Sequence, residues 1–287
     1  MSIFYVDGHF VPEHEAVINV RDLAVLRGYG AFDYLRTYGK QPFRMAKNLE
    51  RLRRTCDILE IEYPWTNDEI AHIVTETLER NVALGDSEEY SIRLVITGGM
   101  SSNNITPEGD TRLIVLVQPF SPMPNELYTD GAKIITVDLN RLFPDAKSTL
   151  YTPAILAQRR AKERGGVEAL YTDRNGNVLE CTTSNVFAFI DDTLVTPPTA
   201  DHILPGITRM TALEVASEHF DVVIRNMTLD ELLSAEEVFI TSANKEILPI
   251  VTIDEDTIAG GTVGERTQTL MSAWRELTQK RATGVTV

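Results

Sequence analysis

The chain is expected to fold as two α+β lobes, with mostly antiparallel sheets flanked by helices. Three observations predict this. At roughly 150 residues per domain, 287 residues suggest about two domains. Short apolar strand runs bounded by turn dipeptides alternate along the chain with segments of helical spacing. Finally, Pro119–Asn125 (PFSPMPN) holds three prolines in seven residues, and proline continues neither helix nor ladder. A linker at about 119–128 therefore divides a small N-terminal α+β domain, 1–120, from a larger C-terminal domain, 121–287.

In chain order, Ile3–Val6 and Phe10–Val11 flank an Asp7-Gly8 turn, a hairpin signal. Ala31–Thr37 and Pro42–Arg44 read as a strand pair around Gly39-Lys40. Ala46, Leu49, Leu52, Cys56 and Leu59 fall at helical spacing. A second helix starts after Thr66, with Asp68 and Glu69 in its first turn and Ile70, Ile73, Val74, Thr77, Leu78 and Val82 following. The strands Ser91–Thr97 and Arg112–Gln118 enclose the polar loop GGMSSNNITPEGD, which has the composition of a functional surface loop. Beyond the linker come a strand at Ala132–Asp138 and a helix around Pro153–Arg164, with Pro153 in its first turn. The strands Glu168–Thr172 and Val178–Glu180 flank the turn DRNGN, and Asn185–Ile190 and Leu194–Val195 continue the sheet. Helices open at about Gly206–Arg209 and span roughly Gly264–Lys280.

Composition narrows the function. The formal net charge of −15 repels phosphate backbones and anionic lipid, so nucleic acid and membrane surfaces are poor partners. No apolar run approaches the roughly 20 residues of a membrane span. MSIFYVDGHF lacks the basic and apolar regions of a secretory signal, which predicts a cytoplasmic protein. Two cysteines, Cys56 and Cys181, make neither a disulfide framework nor a Cys-based zinc site. The five histidines are scattered, so no metal is expected. Arginine outnumbers lysine, 20 to 7, a bias that suits carboxylate and phosphate recognition and equally suits solubility.

Generic motifs are missing. There is no GxxxxGK[ST], no strand–GxGxxG–helix and no GxSxG, and Gly28-Tyr29-Gly30 has too few glycines for a dinucleotide loop. Three loop features remain. Lys147, in FPDAKSTLYTPAIL, lies between a strand and a helix near Phe143 and Tyr151. It is either a surface lysine or one whose pKa desolvation lowers, as a Schiff-base nucleophile requires. LPGITR, Leu204–Arg209, is either an ordinary capped helix or a helix start whose N–H groups at Ile207 and Thr208 hold a phosphate. In LECTTSN, Glu180 is either a turn carboxylate or an acid placed at a strand end for chemistry. Together, a lysine, a carboxylate and a phosphate cradle are the parts that hold pyridoxal phosphate and use it as an electron sink.

With these residues in view, the chain resembles the class IV (fold type IV) pyridoxal-phosphate aminotransferases, a family of D-amino-acid aminotransferases, branched-chain aminotransferases and aminodeoxychorismate lyases. The resemblance spans nearly the whole chain. It rests on six pieces in the family's order: LRGYGAFDYLR, NLERL, the Lys147 loop, VLECTTSNVF, TPPTADHILPGITR and EEVFITSANKEILPI. It implies pyridoxal 5′-phosphate as cofactor, bound covalently by Lys147, which also carries the substrate's proton. Glu180 is implied to pair with the pyridine nitrogen. Arg51, the Ile207 and Thr208 amides and the Thr208 hydroxyl would hold the phosphate. Leu204 would pack on the ring, Tyr151 would reach the ring oxygen, and Thr183 and Ser184 would line the site. Ser242 and Ala243 occupy the turn where the family grips the phosphate again. Ala243 replaces the usual threonine there, and Cys181 the usual glycine after the carboxylate, so a weaker phosphate grip is expected.

The same resemblance implies a homodimeric transaminase that moves an amino group between an α-amino acid and a 2-oxo acid (2-oxoglutarate or pyruvate) by ping-pong kinetics. The loop 98–110 has neither Arg nor His, so it lacks the Arg-x-His carboxylate trap of the usual D-amino-acid enzymes. Arg27 stands where branched-chain enzymes have a tyrosine. Arg93 matches their glutamate-binding arginine, and LRGYG is similar to a divergent D-amino-acid group. Arg27 and Arg93 are therefore the expected substrate-carboxylate recognisers, unless Arg93 pairs with Glu89 or Asp33. D-amino-acid specificity stands slightly ahead of branched-chain L-specificity. An aminodeoxychorismate lyase and an idle, ligand-binding homologue are the rival readings.

Overall fold

The computed structural model describes residues 1–85, 87–200 and 202–282. Among them the chain forms two compact units. The first comprises Met1–Ser121 together with Ala146–Tyr151 and the chain from Gln279; the second comprises Pro122–Asp145 and Thr152–Thr278. The chain thus changes unit inside the proline-rich segment. The Lys147 segment, expected in the C-terminal domain, instead joins the N-terminal unit.

In the first unit six strands form an antiparallel sheet: β1 (Ile3–Val6), β2 (His9–Pro12), β3 (Gly30–Tyr38), β4 (Gln41–Pro42), β5 (Tyr90–Thr97) and β6 (Arg112–Pro119). Their order is β2-β1-β6-β5-β3-β4. The Asp7-Gly8 turn closes β1 on β2, with both residues at positive φ, 47° and 92°. The expected strand 42–44 stops at Pro42. Arg44 turns to φ 52° as the N-cap of α2 (Met45–Ile58) and cannot continue the ladder. A capping box opens α3 (Asn67–Val82): Thr66 Oγ1 accepts from the Glu69 amide, and Glu69 accepts from the Thr66 amide. Ile92, Leu94 and Ile96 of β5 are buried in one core with Leu49, Leu52 and Cys56 of α2 and Ile70, Val74 and Leu78 of α3. The period of two then sends Arg93 to the other face.

A short helix unforeseen from the sequence, α1 (Leu23–Arg27), precedes β3. Asp22 caps it by accepting from the Ala24 amide and also accepts from Thr97 Oγ1. Gly28, at φ 65°, ends it in the left-handed conformation that glycine adopts without steric cost.

The second unit carries a nine-stranded mixed sheet: β7 (Ala132–Asp138), β8 (Glu168–Thr172), β9 (Val178–Cys181), β10 (Asn185–Ile190), β11 (Thr193–Thr196), β12 (Val222–Ile224), β13 (Glu237–Ser242), β14 (Glu246–Ile253) and β15 (Asp256–Thr257). Its order is β12-β11-β10-β13-β14-β7-β8-β9, with β15 on β14. The strands at its centre are apolar and buried on both faces, as a sheet covered on both sides requires. The remaining helices are α4 (Glu126–Thr129), α5 (Thr152–Glu163), α6 (Ile207–Ala216), α7 (Leu229–Leu233) and α8 (Glu265–Ala282). Pro153 lies in the first turn of α5, where its missing N–H costs nothing.

Candidate active site

In the first unit Lys147 is tied to β3 by main-chain pairing. The Phe32 amide donates to the Lys147 carbonyl at 2.9 Å, Thr149 N donates to Gly30 O at 2.9 Å, and Ala31 bridges Ser148. The segment thus extends the sheet along the part of β3 that β4 leaves uncovered. Lys147 N donates to Thr55 Oγ1 of α2 at 3.2 Å, and Thr149 Oγ1 donates to the carbonyls of Gly28 and Gly30. A lysine anchored at its own amide, its carbonyl and its neighbours presents its ammonium from a rigid base.

That ammonium lies 4.7 Å from the centre of the Phe32 ring. Tyr151 meets the same ring edge-on, with centroids 5.4 Å apart. On the same face of the sheet Arg93 reaches over Phe32 at 5.5 Å and over its cross-strand partner Tyr34 at 5.4 Å. The sequence-predicted residues Lys147, Tyr151 and Arg93 therefore share one aromatic platform. Arg93 is exposed, and among the described residues it has no carboxylate partner. Neither acid considered for it is available. Glu89 accepts from the Thr37 hydroxyl and the Gly39 amide, and Asp33 is taken by Arg51. Arg27, at the end of α1, is exposed and donates to the Leu26 carbonyl.

Arg51 lies on α2, buried, in a two-point ion pair with the fully buried Asp33. Asp33 also accepts from the Tyr34 amide at 2.7 Å. Asp33 faces α2 because β3 alternates, its other neighbours on that face being Ala31 and Leu35. The signal in the sequence was an acid at an inward position of an apolar strand.

The second unit holds the remaining residues. The Glu180 carboxylate accepts from Arg141 Nη1 at 2.8 Å on one oxygen and from the Leu204 amide at 3.1 Å on the other. Asn185 Nδ2 donates to the Leu204 carbonyl at 3.0 Å, so Leu204 is held on both sides of its peptide. Leu204 leads into α6, whose N-cap Gly206 provides no side-chain cap. The helix itself leaves the N–H groups of Ile207 and Thr208 without acceptors, and the helix dipole adds positive character there. A Cβ on Gly206 would sit 2.0 Å from Asn185 Oδ1, so only glycine lets the chain pass. Among the described residues, two buried polar atoms near these elements, Arg209 Nε and Thr241 Oγ1, have no hydrogen-bond partner. Burial lowers the Arg209 guanidinium to about 10. Open amides, unsatisfied polar atoms and a desolvated cation suit a phosphate.

The hydroxyls of Thr183 and Ser184 are engaged within the protein. Both donate to Glu168, at 2.5 and 2.8 Å, and Glu168 is paired with Lys245 Nζ at 2.5 Å. Burial alone would raise the Glu168 carboxyl; Lys245 and the Thr183 hydrogen bonds outweigh it and hold it below the ordinary value. Ser242 Oγ donates to Asn244 at 2.9 Å, and Ala243 follows it in the β13–β14 turn. Phe32, Arg141, Glu168, Asn185 and Lys245 were missed from the sequence, and Asp33 was considered only as a partner for Arg93. Each acts through a partner distant along the chain.

Among the described residues no helix is long and apolar enough to cross a membrane. Nor does any group of three or more His, Cys, Asp or Glu residues suit a metal ion.

The family described as "Amino-transferase class IV" matches residues 30–253. The "Putative branched-chain-amino-acid aminotransferase" of Methanocaldococcus jannaschii is 34% identical, the match covering 96% of each chain. The "D-alanine aminotransferase" of Staphylococcus haemolyticus is 27% identical over 98% of this chain and 100% of its own. The fold is similar, with a TM-score of 0.88 and 27% identity over 99% and 95% of the two chains, to a branched-chain amino acid aminotransferase of T.th. with pyridoxamine 5′-phosphate.

Proposed function

Because the chain belongs to the class IV aminotransferase family, we propose that it transfers the amino group of a D-amino acid to 2-oxoglutarate or pyruvate. It is a pyridoxal-phosphate-dependent transaminase of fold type IV. The observation that carries the substrate reading is the shared platform. Arg93, a guanidinium with no acid of its own among the described residues, lies over the ring that also supports Lys147. A forked cation beside the reactive amine suits the carboxylate of an amino or oxo acid. Arg27 is assigned as the second recogniser, from its place in LRGYG.

The residues present fit the cofactor. Lys147 would bind it covalently; Glu180, held by Arg141 and Leu204 N, would face its pyridine nitrogen. Arg51, the Ile207 and Thr208 amides and the Thr208 hydroxyl would hold its phosphate, and Leu204 and Tyr151 would touch the ring. When bound, pyridoxal phosphate supplies an electron sink for the charge left at the substrate Cα. Lys147 Nζ would take the substrate Cα proton and deliver it to C4′ of the cofactor in one half-reaction, and carry a proton the opposite way in the other. The Glu180 carboxylate keeps a proton at the pyridine nitrogen, and Arg141 keeps that carboxylate in place. Because one keto acid leaves before the next binds, the kinetics are ping-pong.

The second reading is a branched-chain L-amino-acid aminotransferase, which the names of the Methanocaldococcus relative and the T.th. structure favour. A homodimer accompanies either reading. Val25, Leu26 and Leu150 of the first unit, and Leu142, Phe143, Ile155 and Leu156 of the second, are apolar and exposed.

A half-reaction screen tests the proposal. The holoenzyme is mixed with single D- or L-amino acids and the cofactor absorbance is followed without an acceptor. Conversion by D-amino acids supports the first reading; conversion by L-leucine, L-isoleucine and L-valine alone replaces it with the second. Pyruvate release from aminodeoxychorismate, with no amino acid converting the cofactor, overturns both.

A further inference from the structure

One buried ion pair joins two turns of the second unit. Lys245 comes from the turn between β13 and β14, beside Ser242 and Ala243. Glu168 opens β8, and both residues are buried, Glu168 at 1% and Lys245 at 5% exposure. Besides Lys245, Glu168 accepts from the Thr183 amide at 2.9 Å, the Thr183 hydroxyl and the Ser184 hydroxyl, while the Thr182 hydroxyl is shared between Gln158 Oε1 at 2.8 Å and Glu168 at 3.2 Å. Lys245 Nζ also donates to Thr183 Oγ1 at 3.1 Å, and the Lys245 carbonyl accepts from the Tyr128 hydroxyl. One carboxylate therefore gathers Thr183 and Ser184 of the turn 182–184, and one ammonium ties that turn to the 242–246 hairpin.

The turn so fixed separates Glu180, at the end of β9, from Asn185, at the start of β10. Those two residues hold the Leu204 peptide from opposite sides. Asn185 is also the cross-strand partner of Thr241, so the start of β10 and the end of β13 lie side by side. At that end the family's second phosphate hydroxyl is replaced by Ala243, which has none. An apolar pair would fill this volume without the desolvation cost of two charges, but it would offer the Thr183 and Ser184 hydroxyls and the Thr183 amide no acceptor.

We infer that Lys245 is a positioning residue for the cofactor. Through Glu168 it clamps the 242–246 turn onto the 182–184 turn, so that Glu180, Leu204 and the α6 amides keep the spacing that a ring and its phosphate require. The clamp takes over, by fixing the backbone, what Ala243 no longer does by a hydroxyl. This rests on the reading of these turns as the pyridoxal-phosphate site.

The test separates binding from folding. Wild type, K245M, the charge-balanced double variant E168Q/K245M and K245R are prepared as apo proteins. Each is titrated with pyridoxal phosphate by fluorescence, and its Tm is measured with and without inorganic phosphate. Wild type must bind pyridoxal phosphate and be fixed by borohydride at Lys147. If it is not, the cofactor reading itself fails, independently of the clamp. With that control met, the double variant is expected to regain an apo Tm near wild type while its Kd stays at least tenfold higher and its Tm gain from phosphate shrinks. K245R is expected to bind within about threefold of wild type. A folded double variant that binds pyridoxal phosphate within twofold of wild type overturns the proposal and leaves the pair a purely structural one.

Discussion

The Arg51 guanidinium meets Asp33 at two points, Nε to Oδ2 at 2.9 Å and Nη2 to Oδ1 at 2.8 Å, with both side chains buried. Asp33 therefore sets the plane of the fork whose proposed task is the cofactor phosphate. Replacing Arg51 with methionine removes a charged phosphate ligand worth about 1.5–3 kcal/mol, so the Kd for pyridoxal phosphate should rise roughly 10- to 100-fold. D33N leaves the guanidinium buried without its counter-charge and should cost about 3–5 kcal/mol of stability. In the double variant D33N/R51M, urea unfolding should show part of that stability recovered while cofactor affinity stays low. Recovery of both would remove Arg51 from the phosphate site.

Arg93 presents the opposite case, an exposed guanidinium whose neighbours are rings rather than acids. Alanine there removes exposed cation–π contacts but, among the described residues, no ion pair, so stability should fall by no more than about 1 kcal/mol. Its effect should fall on KM for 2-oxoglutarate, raised about 10- to 100-fold for a lost charged hydrogen bond. Steady-state kinetics with 2-oxoglutarate and with pyruvate check this. An unchanged KM for both acceptors would end the assignment.

Local elements were legible because their causes are short-range. Asp7-Gly8, the Thr66–Glu69 box and Pro153 each act within four residues, and the structure places turn, cap and helix start there. Helix α1 was not legible: five residues carry no period, and it depends on Asp22 holding Thr97, far along the chain. The chemistry-bearing residues show the same divide. Lys147 stood out by type and setting, but its pairing with β3 joins segments more than a hundred residues apart, which no local pattern encodes. Arg51 was singled out through NLERL without Asp33, and Glu180 through LECTTSN without Arg141, because an ion pair leaves no mark on the spacing of either partner. Thr183 and Ser184 were expected to line the site; the donation of their hydroxyls to Glu168 emerges only when β8 is brought beside the turn.

The two cysteines should be inert in the native protein. Burial, with Asp57 adding to it and Arg53 opposing, pushes the Cys56 thiol up to about 12; burial and then the Glu168 charge raise Cys181. Both are essentially inaccessible, at 0% and 1% exposure. A disulfide reagent at pH 8 should therefore label neither until urea unfolds the chain, with a native rate on the order of a thousandfold or more below the unfolded one. Rapid native labelling of Cys181 would mean that the Glu168–Lys245 region opens readily.

The pH dependence of stability should reveal the Glu168–Lys245 pair directly. Burial raises the Glu168 carboxyl, but Lys245 and Thr183 outweigh it, so its folded pKa lies below the unfolded value of about 4.3. A depressed folded pKa gives stability that is present above the unfolded value and lost as pH falls through the folded one. In K245M burial acts without the opposing ammonium, and the sign reverses. The folded pKa rises, and the contribution is then complete below the unfolded value and lost as pH increases through the folded one. The unfolding free energies of wild type and K245M should thus differ by about 3–5 kcal/mol at pH 7, and the gap should narrow toward pH 4 as Glu168 takes up a proton in the variant. Urea unfolding at half-unit steps from pH 4 to pH 8 measures this difference, in which the titrations common to both proteins cancel. A gap that stays constant across the range would mean that Glu168 does not carry the charge Lys245 balances.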